Sequence, residues 1–250
     1  MIKDIIEIAK SAGDTILEIY KDADLSNIVD YKGDDSPLTL ADNASNDVIV
    51  KALKIQFPDI PVMSEEMAQA PYETRKNWTK FFCVDPLDGT KEFIKKNGEF
   101  TVNIALIENG LPVLGVIYVP VTDVTYAGSS EGAIKIEGDK ELKIEINNKA
   151  SERIAVRSKS HAAVEEEVLL EKYNVTDTIS VGSSLKFCMV AEGKADIYYR
   201  HGPTMEWDTA AGQAVVQAAG GKVYQGDKED DLFTYNKKNL LNGSFLVLGF

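Results

Sequence analysis

The apolar positions of the chain fall into three patterns: helical spacing, short unbroken runs and strict alternation. Near the start, Ile2, Ile5, Ile6, Ala9, Gly13, Ile16, Leu17 and Tyr20 recur at helical spacing, which predicts one amphipathic helix over 2–21. A short strand is expected over 28–32, and Gly33-Asp34-Asp35-Ser36-Pro37 reads as a turn or loop. Thr39 then opens a second helix, with Asp42 three residues on as an approximate capping box. Its apolar positions are Ala44, Val48, Ile49, Ala52, Leu53 and Phe57. Ile60 to Met63 is a short strand that ends in Ser64-Glu65-Glu66, and 67–80 is an irregular connection with some helix. The four apolar residues Phe81-Phe82-Cys83-Val84 read as a buried strand, which Pro86 is expected to stop.

Lys91 to Gly98 reads as a cationic loop. Phe100, Val102, Ile104 and Leu106 then alternate as a strand, and Asn109-Gly110 predicts a hairpin that returns over Val113 to Val119. Weaker strands follow over 124–127, 133–136 and 142–146, so the middle of the chain is sheet-rich. After Asn147 strands alternate with helices, which predicts an α/β arrangement. Strands are expected over 153–157, 178–181 and 195–199, around Val223 and over 245–248; helices over 162–173, 185–192 and from Asp208 to Gly220-Gly221. Two halves result, an N-terminal α+β half over 1–150 and a C-terminal α/β half over 151–250, sharing one interface.

Composition narrows the function classes. With 250 residues and 44% hydrophobic content the chain can bury a full core. A formal charge of −13 argues against a nucleic-acid polymer as partner. Two cysteines in apolar runs, Cys83 and Cys188, read as buried thiols and fit a reducing cytoplasm. Two histidines make a zinc cluster a poor fit, so any metal here should be carboxylate-bound. The N-terminal Met1-Ile2-Lys3-Asp4 reads as neither a signal peptide nor a membrane span.

The candidate chemistry centres on Asp85-Pro86-Leu87-Asp88-Gly89-Thr90. Asp85 and Asp88, three positions apart at a strand end, repel unless a cation lies between them. A hard divalent ion such as Mg²⁺ suits oxygen ligands, and the Leu87 carbonyl could add a third. The backbone N–H groups of Gly89 and Thr90, at a helix start, suit an anion. Glu65 is another acid at a strand end. Asp208, in Trp207-Asp208-Thr209-Ala210-Ala211-Gly212, reads as a helix N-cap whose carboxylate could also bind metal. Lys91, Lys95 and Lys96 could steer phosphate. Each feature also has an ordinary reading: a solvated Asp-Pro turn, an acidic loop, a cap, surface lysines, and in Asp42 an acid that complements a helix dipole.

The two Asp motifs, with Ser64-Glu65-Glu66 about twenty residues before the first, resemble the signatures of the inositol monophosphatase superfamily of Mg²⁺-dependent, lithium-sensitive phosphatases. Asp85 to Leu106, Gly182-Ser183-Ser184-Leu185-Lys186-Phe187-Cys188, and Tyr199-Arg200 with Gly202-Pro203-Thr204 resemble its bacterial 3′(2′),5′-bisphosphate nucleotidase branch. The similarity runs along essentially the whole chain and is weakest over 127–149 and after Gln225.

The resemblance implies an α+β fold, a layered αβαβα sandwich. It implies that Glu65, Asp85, the Leu87 carbonyl, Asp88 and Asp208 hold two or three Mg²⁺ ions, with Asp85 bridging two. Most of these ligands lie in the first half; Asp208 and the substrate-binding Lys186 and Arg200 lie in the second. Gly89 and Thr90 would receive phosphate oxygens. Asp42, Thr90 and Glu65 would be catalytic, Asp42 and Thr90 by orienting the attacking water, since Ser36-Pro37-Leu38-Thr39-Leu40-Ala41-Asp42 matches the family there. Glu65, Leu87, Asp88, Ser184, Lys186, Arg200 and Asp208 would also line the substrate. The implied activity is hydrolysis of the 3′-phosphate of adenosine 3′,5′-bisphosphate to AMP by metal-activated water, with a role in sulfur assimilation and recycling of that nucleotide. No nucleophilic Ser or Cys is implied. Lys186 and Arg200 favour this substrate, because a second phosphate needs a second cationic seat. The competing expectations are inositol monophosphate hydrolysis and a non-catalytic metal- and phosphate-binding scaffold. The expected partner is a small bisphosphate nucleotide, in the cytoplasm, with no integral membrane segment; peripheral association with the inner face of the membrane and the oligomeric state stay open.

Overall fold

A computed structural model describes residues 1–21, 29–31, 37–147, 152–158 and 164–250. The expected loop at 33–36, the strand ends at Ile28 and Lys32 and the helix start at 162–163 lie outside the described residues.

Helix α1 (Ile2–Tyr20) buries Ile5, Ile6, Ala9, Gly13 and Ile16 of the expected stripe together with Ile8 and Ala12, while Ile2, Leu17 and Tyr20 are half-buried. Strands β1 (Val29–Tyr31) and β2 (Pro37–Thr39) pair antiparallel and lead into α2 (Leu40–Gln56). Thr39 is the N-cap of α2, and Asp42 closes the expected capping box. The face that α2 buries is partly polar, with Asp42, Ser45 and Asn46 beside Ala41, Ile49, Val50 and Leu53. Then come β3 (Val62–Ser64), the short α3 (Tyr72–Arg75) and β4 (Lys80–Asp88).

Pro86 does not stop β4. Asp85 pairs with Asn103 and Asp88 with Thr101, so Pro86 and Leu87 stand opposite Val102 alone in a one-residue bulge. Helix α4 (Thr90–Ile94) then replaces the expected cationic loop, because Phe93 is fully buried and anchors it. Strands β5 (Thr101–Glu108) and β6 (Leu111–Val119) form the predicted hairpin, with Asn109 and Gly110 both at positive φ. Strands β7 (Val124–Ser129), β8 (Gly132–Glu137) and β9 (Lys140–Ile144) complete a seven-stranded sheet in chain order from β3 to β9.

The rest of the chain builds a second sheet. Strand β10 (Arg153–Ser158), helix α5 (Val164–Lys172), β11 (Val175–Val181), α6 (Leu185–Ala191), β12 (Ile197–Arg200), β13 (Thr204–Met205), α7 (Glu206–Ala218), β14 (Lys222–Gln225), β15 (Leu241–Asn242) and β16 (Phe245–Leu248) follow in order. The five-stranded sheet runs β11-β10-β12-β16-β14; β13 and β15 pair separately.

The period of two along β4 explains the layering. Phe82 and Val84 face a core shared with α1 and α2, while Phe81 and Cys83 face a second core shared with α6 and α7. Leu169, Leu170 and Tyr173 of the α5 segment seal the far side of the five-stranded sheet. The result is an α+β sandwich in five layers, α1 and α2, the seven-stranded sheet, α6 and α7, the five-stranded sheet, then α5. Gly115 lets α7 lie against β6, since a Cβ there would sit 2.4 Å from the Ala211 carbonyl oxygen. Among the described residues no helix is long and apolar enough to cross a membrane.

Candidate active site

The acids converge where the bulged end of β4 meets the start of α7. Carboxylate oxygens of Glu65, Asp85 and Asp208 lie within 4.8 Å of one another. Glu65 follows β3, whose parallel pairing with β4 is continued by the Glu65 N–H to the Val84 carbonyl at 3.1 Å. Asp85 is buried, and its Oδ1 accepts the Leu87 N–H at 3.1 Å inside the bulge. The Pro86 carbonyl, released from the ladder, accepts Ser45 Oγ at 2.7 Å. The acids are thus fixed from α2 as well as from the sheet.

Asp208 is not the N-cap of α7. Met205 is, and Asp208 sits three residues in, with Oδ2 accepting the Met205 N–H at 2.8 Å. The helix begins earlier because buried Glu206 takes the N–H groups of Asn236 and Lys237 at 2.7 and 2.9 Å and Lys237 Nζ at 2.8 Å. Asn242 Nδ2 adds a bond to the Met205 carbonyl at 2.7 Å.

Burial and mutual repulsion load the cluster. Burial, then Glu65, Asp88 and Asp208, push the Asp85 carboxyl well above its ordinary range. Asp208 is driven up by burial, then by Asp88 and Glu65. Burial also raises Asp88, to about 6, against the opposing pull of Lys186. Clustered acids, Asp85 buried and Glu65, Asp88 and Asp208 half-buried, fit a hard divalent cation, which would remove the repulsion. Glu65, Asp85 and Asp208 could hold one such ion, and Asp88 lies beside them.

Gly89 has a φ of 96°, and a Cβ there would press on the Glu99 carbonyl at 3.1 Å and Ser183 at 3.2 Å. It turns the chain from β4 into α4. Thr90 Oγ1 donates to Asp42 Oδ1 at 3.2 Å, and Asp42 Oδ2 accepts the Thr39 N–H at 2.8 Å and Thr39 Oγ1 at 2.6 Å. Burial raises the Asp42 carboxyl, and the Thr39 bonds oppose that.

A cleft opens from the acids toward the second half of the chain, lined by Asp88, Lys186, Tyr198, Arg200, Thr204 and Asp208 among others. Lys186 is buried; its Nζ donates to the Ser183 carbonyl at 2.5 Å and lies 5.4 Å from the Tyr198 ring centre. Burial lowers its pKa to about 8, Asp88 opposes this and Arg200 adds to it. Two neighbouring cations that disfavour each other suit an anion between them, the mirror image of the acid cluster. Lys91 lines the cleft, but Lys95 is exposed and Lys96 donates to the Tyr20 carbonyl on α1.

Ser184 lines the same cleft, beside Asp88 and Lys186. Its hydroxyl donates to Asn103 Oδ1 at 2.8 Å, beside Thr101 Oγ1 at 2.8 Å, and its N–H donates to Asp88 Oδ2 at 2.5 Å. Asn103, Ser45 and Glu206 were not legible as site residues. Asn103 alone left a mark, as the one amide in the apolar run Val102-Asn103-Ile104.

Comparison with known proteins fits this geometry. The model of the inositol monophosphatase family matches residues 1–247. The chain belongs to the inositol monophosphatase family. A protein named 3′(2′),5′-bisphosphate nucleotidase CysQ from Escherichia coli O157:H7 is 46% identical over 248 residues, 99% of each chain. The crystal structure of CysQ from Bacteroides thetaiotaomicron, described as a bacterial member of this family, superposes with a TM-score of 0.85 at 44% identity, covering 99% of this chain and 96% of that one. The inositol monophosphatase of Anabaena shares the fold, with a TM-score of 0.77 at 24% identity over 99% and 90% of the two chains.

Proposed function

We propose that this family member is a Mg²⁺-dependent phosphomonoesterase that hydrolyses the 3′-phosphate of adenosine 3′,5′-bisphosphate, giving AMP and phosphate. The observation that carries this reading is the adjacency of an acid cluster, Glu65, Asp85, Asp88 and Asp208, to a cationic wall, Lys186 and Arg200, in two adjoining clefts that share Asp88 and Asp208. The likeness to proteins named as bisphosphate nucleotidases supports the same substrate class.

The four acids and the Leu87 carbonyl would hold two or three Mg²⁺ ions. Bound there, the metal supplies Lewis-acid chemistry, screening phosphate charge and acidifying water. The protein's own part is positioning and proton handling, since phosphoryl transfer asks little covalent chemistry of it. Thr90 gives its hydroxyl proton to Asp42, which leaves the Thr90 oxygen to accept a proton from the attacking water. Thr39 occupies the other Asp42 oxygen, so the carboxylate cannot turn away. The N–H groups of the first turn of α4, which have no partner within that helix, face the duty of holding phosphate oxygens. Lys186 and Arg200 take the 5′-phosphate, which inositol monophosphate lacks. In the cell the reaction would recycle the nucleotide left by sulfur assimilation.

Phosphate release from adenosine 3′,5′-bisphosphate, followed with Mg²⁺ and with EDTA, tests the reading. Stoichiometric AMP and phosphate in Mg²⁺ and none in EDTA are expected. Turnover that persists in EDTA, or no turnover in Mg²⁺, would contradict it.

A further inference from the structure

Asn103 is a buried amide, 1% exposed, between the apolar Val102 and Ile104 of β5. Burying an amide is costly unless both its ends are bonded, and here both are. Its carbonyl oxygen accepts Ser184 Oγ at 2.8 Å, and its Nδ2 reaches Asp88 Oδ2 at 3.4 Å. The same Asp88 oxygen accepts the Ser184 N–H at 2.5 Å. Thr101 Oγ1, 2.8 Å from Ser184 Oγ, adds a further polar partner to this ring. Register explains the convergence: Asp88 pairs with Thr101 and Asp85 with Asn103 across the bulge, so the loop before α6 drops Ser184 onto both strands.

The Ser184 N–H and Asn103 Nδ2 both address Oδ2 of Asp88 and leave Oδ1 as its oxygen for a cation, while the Ser184 hydroxyl holds the Asn103 amide in place. We propose that Asn103 and Ser184 are positioning residues that fix the Asp88 carboxylate for metal binding. The inference rests on the metal reading above. Neither residue touches the reacting atoms; each acts through Asp88. Groups that orient a metal's ligands govern affinity by about 10–100-fold when removed. Asn103→Ala removes the donor, while Asn103→Asp keeps an acceptor for Ser184 but sets a second charge against Asp88. Ser184→Ala removes only the hydroxyl, since the backbone N–H remains, and Ser184→Thr retains it.

The test uses Mn²⁺ alone as probe, with free ion followed by electron paramagnetic resonance and no substrate present. Asn103→Ala should bind the Asp88-dependent ion about 10–100-fold more weakly, and Asn103→Asp at least as weakly. Ser184→Ala should show a smaller loss, and Ser184→Thr should restore parental affinity. Circular dichroism identifies any variant that fails to fold, and the remaining variants still carry the comparison. Mn²⁺ affinity within twofold of the parent in folded Asn103→Ala and Ser184→Ala, even with a lower Tm, would overturn the inference alone. A parent protein that binds no Mn²⁺ would overturn the metal reading along with it.

Discussion

Thr90 and Asp42, 48 residues apart in sequence, meet through a hydrogen bond of 3.2 Å from Thr90 Oγ1 to Asp42 Oδ1. The same carboxylate caps α2 through its other oxygen. The ordinary reading of Asp42 as a helix-start acid and its proposed catalytic duty are therefore compatible, one on each oxygen. Thr90→Ala and Asp42→Asn should each lower kcat by about 10²–10⁴-fold with KM nearly unchanged. The double variant should cost little more than either single, because the two act as a unit. Fully additive losses would mean that no shared proton path joins them. Asp42→Asn should also lower Tm, since the cap is weakened, so steady-state kinetics and thermal melts are both required.

The cationic wall makes a pH prediction. Lys186, with its pKa lowered to about 8, loses its charge as pH rises through that value in the free protein. The preference for the bisphosphate over a monophosphate should therefore fall above about pH 8. Lys186→Arg should carry the preference to higher pH, because guanidinium stays charged. A pH profile of kcat/KM on both substrates reads this, and parallel profiles would remove Lys186 from the phosphate seat.

The acid cluster makes a prediction about stability. Asp85, Asp88 and Asp208 have carboxyl pKa values raised on folding, so the folded state holds their protons more tightly than the unfolded one. Their contribution is fully present below about pH 4 and is lost as pH rises, through about 6 for Asp88. In EDTA these groups should thus cost stability between pH 5 and 7.5, and the Tm gained from Mg²⁺ should be larger at pH 7.5. Asp85→Asn should raise Tm in EDTA, blunt the Mg²⁺ response and abolish turnover. Differential scanning fluorimetry at the two pH values checks the sign, and a smaller Mg²⁺ gain at pH 7.5 would refute it.

Glu206 is fully buried and paired with Lys237 at 2.8 Å, directly before the Trp207-Asp208 step. Glu206→Ala should destabilise the protein by about 3–5 kcal/mol in urea melts, since it takes the acceptor from two N–H groups and leaves a partly buried ammonium with only neutral acceptors, the Thr234 carbonyl and Asn242 Oδ1. Changing Lys237→Met in the same chain should recover part of that loss. A loss under about 1 kcal/mol would show that the pair does not hold the loop to α7.

Local patterns carried most of the fold. The stripe of α1, the Asn109-Gly110 hairpin and the capping box at Thr39 all rest on neighbours in sequence, and the structure keeps each. The misjudged features depend on tertiary contacts. Pro86 reads as a strand breaker until Asn103 and Thr101 are seen to pair around it. Lys91 to Lys96 reads as a loop until Phe93 finds its core. Asp208 reads as a cap until Glu206 captures Asn236 and Lys237. The acids of the site were legible because their motifs are local; Asn103 and Ser45 were not, because their duty is to hold groups 15 and 41 residues away.

On the proposed reading the cleft seats two phosphates. That reading is tested most directly by the ratio of kcat/KM for adenosine 3′,5′-bisphosphate to that for inositol 1-phosphate, in Mg²⁺, for the parent and for Lys186→Ala and Arg200→Ala. The account predicts a large ratio in the parent that each variant reduces about 10–100-fold, mainly through KM for the nucleotide, as expected for a lost charge-assisted contact of about 1.5–3 kcal/mol. Equal kcat/KM on the two substrates, or variants that keep KM and lose only kcat, would contradict it.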